Sequence, residues 1–237
     1  MLRRLSPGQA GYPTPLAAIS SPPDPLWLRG AEPKWPAVAV VGTRRPDAEG
    51  RRVASVIATT LAARGIAVVS GLAPGIDTAA HRAALRAGGR TWAVVGCGAD
   101  MAESVEDPDL PEDMVGAGGI LAELPPGQPA SARALVARDR IQTALSAATV
   151  VVQTDLASGT MHTARFALVQ GRPLAVVAPG AGPRWAGNAA LVDPAGCDPA
   201  ALHARGEAGR LVQARRPVAD VVLDGGDVAP LLARLGL

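Results

Sequence analysis

The residues best suited to chemistry follow the apolar run 38–41, where Gly42, Thr43, Arg44 and Arg45 come in succession. Amides beside a glycine, a hydroxyl group and two guanidinium groups are the donors that anions bind. The run itself is typical of a buried parallel strand, and the helical pattern that follows would point its N-terminal amides at the same place. This segment predicts an anion-binding site at the carboxyl end of a strand.

Three other apolar runs also end in small or polar residues. These loops are Ser70-Gly71, Gly96-Cys97-Gly98 and Ser158-Gly159-Thr160. One such loop alone is better explained by turn geometry, because strand-to-helix turns need glycine and serine. Four of them at one sheet edge, one carrying two arginines, favour a shared anion site at the carboxyl ends of the strands.

Asp77 and His81 lie four residues apart, so they would face the same side of one helix. In one interpretation the pair frames the pocket, with Asp77 also capping the helix. In the other, Asp77 is a cap and His81 an unrelated imidazole. Spacing alone leaves the two equally supported.

Arg138 and Arg140 lie on a predicted helix that Ser131 would cap. A charged outer face is the usual explanation for such arginines. Arg138, however, is three residues from both Leu135 and Ile141, which places it at the edge of the buried stripe. We therefore expect Arg138 to have a partner.

Several site classes are excluded by their missing signatures. There is no G-x-G-x-x-G fingerprint, Ser70 stands where a dinucleotide site would place an acidic residue, and no Walker A sequence is present. No spacing indicates a catalytic triad or paired carboxylates, and Cys97 and Cys197 suit neither a disulfide framework nor a zinc site. We expect no metal, no cofactor and no catalysis. The net charge of only +2 also shows that the protein is not polybasic.

The elements that must position these residues alternate along the chain. Predicted strands cover 38–41, 66–69, 91–95, 120–124, 149–153 and 173–177, with a late strand at 218–223. Predicted helices cover 47–65, 77–86, 131–147, 161–169 and 228–235. Strands and helices at this spacing indicate an α/β fold with a doubly wound, mostly parallel sheet whose strands end at one edge.

The chain is predicted to have three parts. Residues 1–36 carry eight prolines, a density that argues against a helix or a central strand and favours an extended lead-in packed on the core. Residues 37–192 form the core domain, and 193–237 a C-terminal extension. No apolar run is long enough to cross a bilayer and no signal peptide is recognisable, so a cytoplasmic protein is expected.

Together these motifs resemble those of the DNA-processing protein A (Smf) family over roughly residues 11–192. The matching segments are 12–30, Gly42-Thr43-Arg44, 70–77 with His81, 138–141, Ser158-Gly159-Thr160, 170–172 and Gly187-Asn188. The resemblance implies an extended Rossmann-like core that binds single-stranded DNA in a basic pocket. It also implies a homodimer that delivers the strand to the RecA recombinase in natural transformation.

The resemblance also implies the site residues. Carried over by position, they are Gly42, Thr43, Arg44, Ser70, Gly71, Gly75, Asp77, His81, Arg138, Arg140, Ser158, Gly159 and Thr160. Two positions depart from the family pattern. Asp139 stands between two arginines where the family usually has asparagine, and Ala157 replaces a lysine.

Two other functions remain open. One is an enzyme or sensor for a small nucleotide in the same pocket. Related nucleotide-cleaving proteins use a glycine-rich loop followed by a glutamate, but Thr163 holds that position here, so no general acid or base is evident. The other is an interaction module that has lost its ligand.

Overall fold

The computed structural model describes all residues, 1–237, and contains one nine-stranded sheet. The strands are β1 (Leu2–Leu5), β2 (Leu26–Gly30), β3 (Ala37–Val41), β4 (Ala67–Ser70), β5 (Thr91–Val95), β6 (Gly119–Ala122), β7 (Ala148–Val151), β8 (Leu174–Val177) and β9 (Val221–Leu223). The longer helices are α2 (Ala48–Ala63), α3 (Ile76–Arg86), α5 (Ala132–Ala144) and α6 (Thr160–Val169). Shorter helices are α1 (Thr14–Ala17), α4 (Leu110–Ala117), α7 (Ala186–Val192), α8 (Gly206–Ala214) and α9 (Ala229–Leu235).

The strand order is β1-β2-β6-β5-β4-β3-β7-β8-β9. All neighbouring strands from β6 to β9 pair in parallel, whereas β1 and β2 pair antiparallel with each other and β2 antiparallel with β6. From β3 the chain adds strands on one side and then returns to add β7 on the other. The predicted α/β fold with a doubly wound, mostly parallel sheet is confirmed.

The core lies on both faces of this sheet. On one face, α2 and α3 pack against β3, β4 and β7 in a cluster of 24 buried residues that includes Val38, Val40 and Ile57. On the other face, α5 and α6 pack in separate clusters that contain Ile141 and Met161. Every residue of β3 is buried, which explains its unbroken apolar sequence. None of the helices has both the length and the apolar character needed to cross a membrane.

The predicted cap of α5 is present, since the Ser131 side chain accepts a hydrogen bond from the Ala134 amide at 3.1 Å. The helix predicted to start at Asp47 is also capped, because the Asp47 side chain accepts a hydrogen bond from the Gly50 amide at 2.7 Å. Gly65, predicted to close α2, has a φ of +72°, a conformation that favours glycine. These local signals therefore fixed where α2 and α5 begin and where α2 ends.

The prediction that proline density excludes a helix or an interior strand from residues 1–36 is wrong. Pro15 lies in the first turn of α1, where a missing amide costs no helical hydrogen bond. Between Pro25 and Pro33 the proline-free run Leu26–Gly30 forms β2, which lies between β1 and β6. Residues 1–36 thus contribute the strands β1 and β2 to the sheet. Since β9 also joins it, one sheet spans all three predicted parts, and their boundaries stay a prediction.

We expect Leu28→Ala to lower the free energy of unfolding by about 2–5 kcal/mol, the usual cost of emptying a core leucine site. Leu28 is fully buried and pairs in register with Leu121. Urea unfolding measures the loss. The matched control is Leu211→Ala on α8, where the side chain is 41% exposed and the cost should stay within about 0.5 kcal/mol. Equal losses in the two variants would mean that β2 does not form part of the core.

Candidate functional site

A cavity of about 570 Å³ opens at the carboxyl ends of β3 and β7. This is the point where the strand order reverses, and ligands of open α/β sheets bind at such points. Eight of the predicted site residues line it. They are Gly42, Thr43, Arg44, Asp77, Arg138, Ser158, Gly159 and Thr160. The sheet topology therefore brings most of the predicted loops to one place.

The loop after β3 has a backbone fixed by hydrogen bonds and close packing. The Thr43 amide donates to the carbonyl oxygen of Gln153 at 2.8 Å, and the Thr43 hydroxyl oxygen accepts from the Arg45 amide at 3.2 Å. A Cβ at Gly42 would lie 2.6 Å from Cγ1 of Ile76, so only glycine fits between the strand end and α3. The loop is thus held firmly against its neighbours.

Arg44 and Arg45 are exposed at the cavity, and neither is paired with a carboxylate. A guanidinium group without a protein partner keeps all its donors for a ligand, and its planar fork matches phosphate and carboxylate oxygens. These two side chains are the free positive charges of the site.

Arg138 has a different role, because it is only 8% exposed and fully engaged. Its Nη1 donates to the carbonyl oxygen of Val94 at 2.8 Å, and its Nε lies 3.1 Å from Oδ1 of the buried Asp139. A Cβ at Gly71 would overlap its guanidinium group. The expected partner of Arg138 is therefore present, and it is Asp139, the residue that departs from the family pattern.

The two buried carboxylates differ from ordinary ones. Burial raises the pKa of Asp139 to about 6, against the opposing attraction of Arg138. Burial likewise raises the pKa of Asp77, while Arg138 and hydrogen bonds from the loop oppose the shift. Those bonds include the amides of Gly71, at 3.1 Å, and Ala73, at 3.3 Å. Asp77 thus shapes the loop before α3.

Asp77 is not the cap of α3, contrary to the prediction. Gly75 holds the cap position and Asp77 lies in the first turn, from which its carboxylate reaches back to the loop amides. His81 does not frame the pocket either. It is fully buried, its Nδ1 lies 2.6 Å from the hydroxyl oxygen of Thr91, and burial lowers its pKa to about 3. It belongs to the packing between α3 and β5.

Four other predicted site residues also lie outside the cavity lining. The Ser70 hydroxyl donates to the carbonyl oxygen of Val40 at 2.7 Å, and Gly71 packs behind the Arg138 side chain. The Gly75 amide donates to Oε2 of Glu106 at 2.8 Å, and its φ of +89° explains the glycine. Arg140 pairs with Glu123, its Nη1 lying 2.9 Å from Oε2. These four residues make contacts within the protein, outside the cavity lining.

The structure also brings Arg45 to the cavity, as the predicted anion-binding segment 42–45 implied. It adds residues that were not predicted, namely Val41, Ala73, Leu135, Val136, Asp139, Gln142, Asp155, Thr163 and Arg184. Arg184 had a weak sequence signal, because it lies in the loop after β8 and so at the same sheet edge. The helix residues had none, because their approach depends on how α5 and α6 pack.

The cavity suits a phosphate-bearing ligand. Four arginines and three aspartates line it, and Arg138 and Asp139 neutralise each other inside the wall. Ser158 and Thr160 add hydroxyl groups at the start of α6. The lining contains no histidine, cysteine or aromatic residue. The arrangement can therefore hold anionic groups, whereas base stacking has no partner in it.

The sequence matches a known protein family and several of its members. A sequence model described as DNA recombination-mediator protein A matches residues 3–198. "Protein Smf" of Synechocystis sp. is 38% identical over 169 residues, which make up 69% of this chain and 42% of that relative. The chain thus spans less than half the length of this curated relative.

Two solved structures are similar over most of the chain. DNA processing protein A from Streptococcus pneumoniae has a TM-score of 0.76 at 29% identity, covering 97% of this chain and 74% of its own. DNA processing protein A from Helicobacter pylori has a TM-score of 0.71 at 28% identity, covering 80% and 86%. The H. pylori structure is described as revealing a single-stranded DNA binding mode of that protein.

We expect the ionisation of Asp139 to make stability depend on pH. A carboxyl group with a raised pKa binds its proton more tightly when folded, so its contribution is present below pH 4 and is lost as the pH rises through about 6. Between these values the free energy of unfolding should fall by about 2 kcal/mol more in the wild type than in Asp139→Asn. Urea unfolding across this range measures both slopes. Parallel curves would mean that Asp139 ionises normally.

Proposed function

Since this chain belongs to the DNA recombination-mediator protein A family, we propose that it binds single-stranded DNA in the cavity between β3 and β7. The observation that carries the proposal is the pair of exposed, unpaired arginines, Arg44 and Arg45, at the point where the strand order reverses. The description of the H. pylori relative as a single-stranded DNA-binding protein supports it.

The strand is held by its phosphates. Arg44 and Arg45 offer guanidinium donors, and Ser158 and Thr160 offer hydroxyl groups beside the amides that begin α6. Such contacts give affinity without reading the base sequence, and they release counterions, so binding weakens as salt increases. Because no aromatic side chain lines the cavity, stacking adds little there, and the salt dependence should be strong.

The acidic residues of the cavity lining reduce this affinity. Negative charge on Asp77, Asp139 or Asp155 opposes a phosphate in the same cavity. Arg138 is already engaged by Asp139 and by the Val94 carbonyl oxygen, so it adds positive potential and few free donors. Arg44 and Arg45 therefore carry a large share of the electrostatic attraction.

We further propose that the protein acts by binding rather than by catalysis, as a mediator of recombination in the cytoplasm. In this role it holds the strand as a homodimer and delivers it to a RecA-type recombinase during recombination or natural transformation. Phosphate-based, sequence-independent binding suits such a role, because the strand can be passed on whatever its sequence. The family assignment supports this second step.

Titration of a fluorescently labelled oligo-dT across a salt series tests the binding step. We expect Arg44→Ala to weaken binding roughly tenfold or more, because a hydrogen bond to a charged group is lost, and to reduce the salt slope by about 0.7. The matched control is Arg210→Ala, since Arg210 is exposed on α8, outside the cavity and without an ion pair. It should bind like the wild type.

Two results would contradict the proposal. One is the absence of oligo-dT binding at low salt, and the other is equal binding by Arg44→Ala and the wild type. A rise in melting temperature with a mononucleotide, without oligo-dT binding, would instead identify the cavity as a small-nucleotide site.

A further inference from the structure

Arg184 lines the same cavity as Arg44 but comes from a different loop. Resting on the proposed function, we propose that Arg184 binds a second phosphate of the same DNA strand, in a subsite that Trp185 and Asp47 hold in place. Arg44 and Arg184 would then bind phosphates on neighbouring stretches of one DNA backbone.

Arg184 reaches the cavity from a separate element. It lies in the turn Pro183–Trp185 that follows β8, whereas Arg44 follows β3. Both arginines line the same cavity, both are exposed, and Arg184 also lacks a carboxylate partner. Arg44 and Arg45 share one loop, so an unpaired guanidinium group from a separate loop suits a ligand with more than one phosphate.

Trp185 anchors the turn that carries Arg184. Its side chain is only 4% exposed and belongs to the large core cluster beneath α2 and α3. The indole Nε1 donates to Oδ2 of Asp47 at 2.8 Å. A Cβ at Gly180 would lie 2.9 Å from the same indole nitrogen, so the ring fits closely against the loop after β8.

Asp47 connects this anchor to the loop that carries Arg44. Its Oδ1 caps α2 by accepting from the Gly50 amide at 2.7 Å, and its Oδ2 also accepts from Nε2 of Gln153 at 2.7 Å. Burial opposes its ionised form, but the bonds from Gly50, Trp185 and Gln153, together with the nearby positive charge of Arg184, outweigh burial and lower the pKa of the carboxyl group. One carboxylate therefore joins three elements at the cavity rim.

The segment after Trp185 is fixed as well. The Gly187 amide donates to the carbonyl oxygen of Thr154 at 2.9 Å, and Oδ1 of Asn188 accepts from the Thr154 amide at 2.7 Å. Nδ2 of Asn188 donates to the carbonyl oxygens of Val152 and Val177, both at 2.9 Å. The backbone on the C-terminal side of Arg184 is thus tied to the ends of β7 and β8, so only its side chain needs to be ordered by a ligand.

The test compares variants of the full chain with labelled oligo-dT across a salt series. We expect Arg184→Ala to bind oligo-dT roughly tenfold more weakly than the wild type. The salt slope should fall by about 0.7, the change that the loss of one phosphate contact produces. Arg184→Lys should keep the salt slope, since the charge remains. Arg210→Ala serves again as the control, and melting temperatures check that each variant is folded.

Trp185→Phe tests the anchor, because it keeps an aromatic ring but removes the donor to Asp47. If Trp185 positions Arg184, Trp185→Phe weakens binding in the wild-type background and has no further effect in Arg184→Ala. A purely structural role would instead lower binding equally in both backgrounds.

The outcomes separate the two proposals. If the wild type binds and Arg44→Ala binds weakly while Arg184→Ala binds like the wild type, the second subsite is overturned and the proposed function stands. An unchanged salt slope in Arg184→Ala also overturns the subsite. If the wild type does not bind oligo-dT at all, the proposed function fails first and the subsite with it.

Discussion

The site depends on the parallel pairing of β3 with both β4 and β7. Because strands are added first on one side of β3 and then on the other, the helices after β3 and β7 diverge and leave a crevice at the carboxyl edge. The three exposed arginines of the cavity, Arg44, Arg45 and Arg184, come from the loops after β3 and β8 at this edge. The cavity is thus a consequence of strand order, and the loops determine what it can hold.

The arginines at this edge fall into two groups, and burial separates them. Arg138 and Arg140 have carboxylate partners in Asp139 and Glu123, so they stabilise the wall behind the cavity. Arg44, Arg45 and Arg184 are exposed and unpaired. A paired guanidinium group has already given up its hydration for a protein partner, whereas a free one can exchange water for a ligand phosphate.

The sequence predicted the parallel strands, the sheet edge and the loops, because apolar runs, glycines and caps are local signals. It did not predict β2, because proline density hid a short proline-free strand. It misplaced His81, since helical spacing gives a side chain's face but not what covers that face. It also missed Arg184, whose approach depends on the buried contact between Trp185 and Asp47, residues 138 positions apart in the chain.

The structure of the chain in complex with oligo-dT tests the central claim most directly. We expect a phosphate of the strand at the cavity between β3 and β7, with an oxygen about 2.7–2.9 Å from a guanidinium nitrogen of Arg44. A strand bound on another surface, with Arg44 free in the complex, would contradict it.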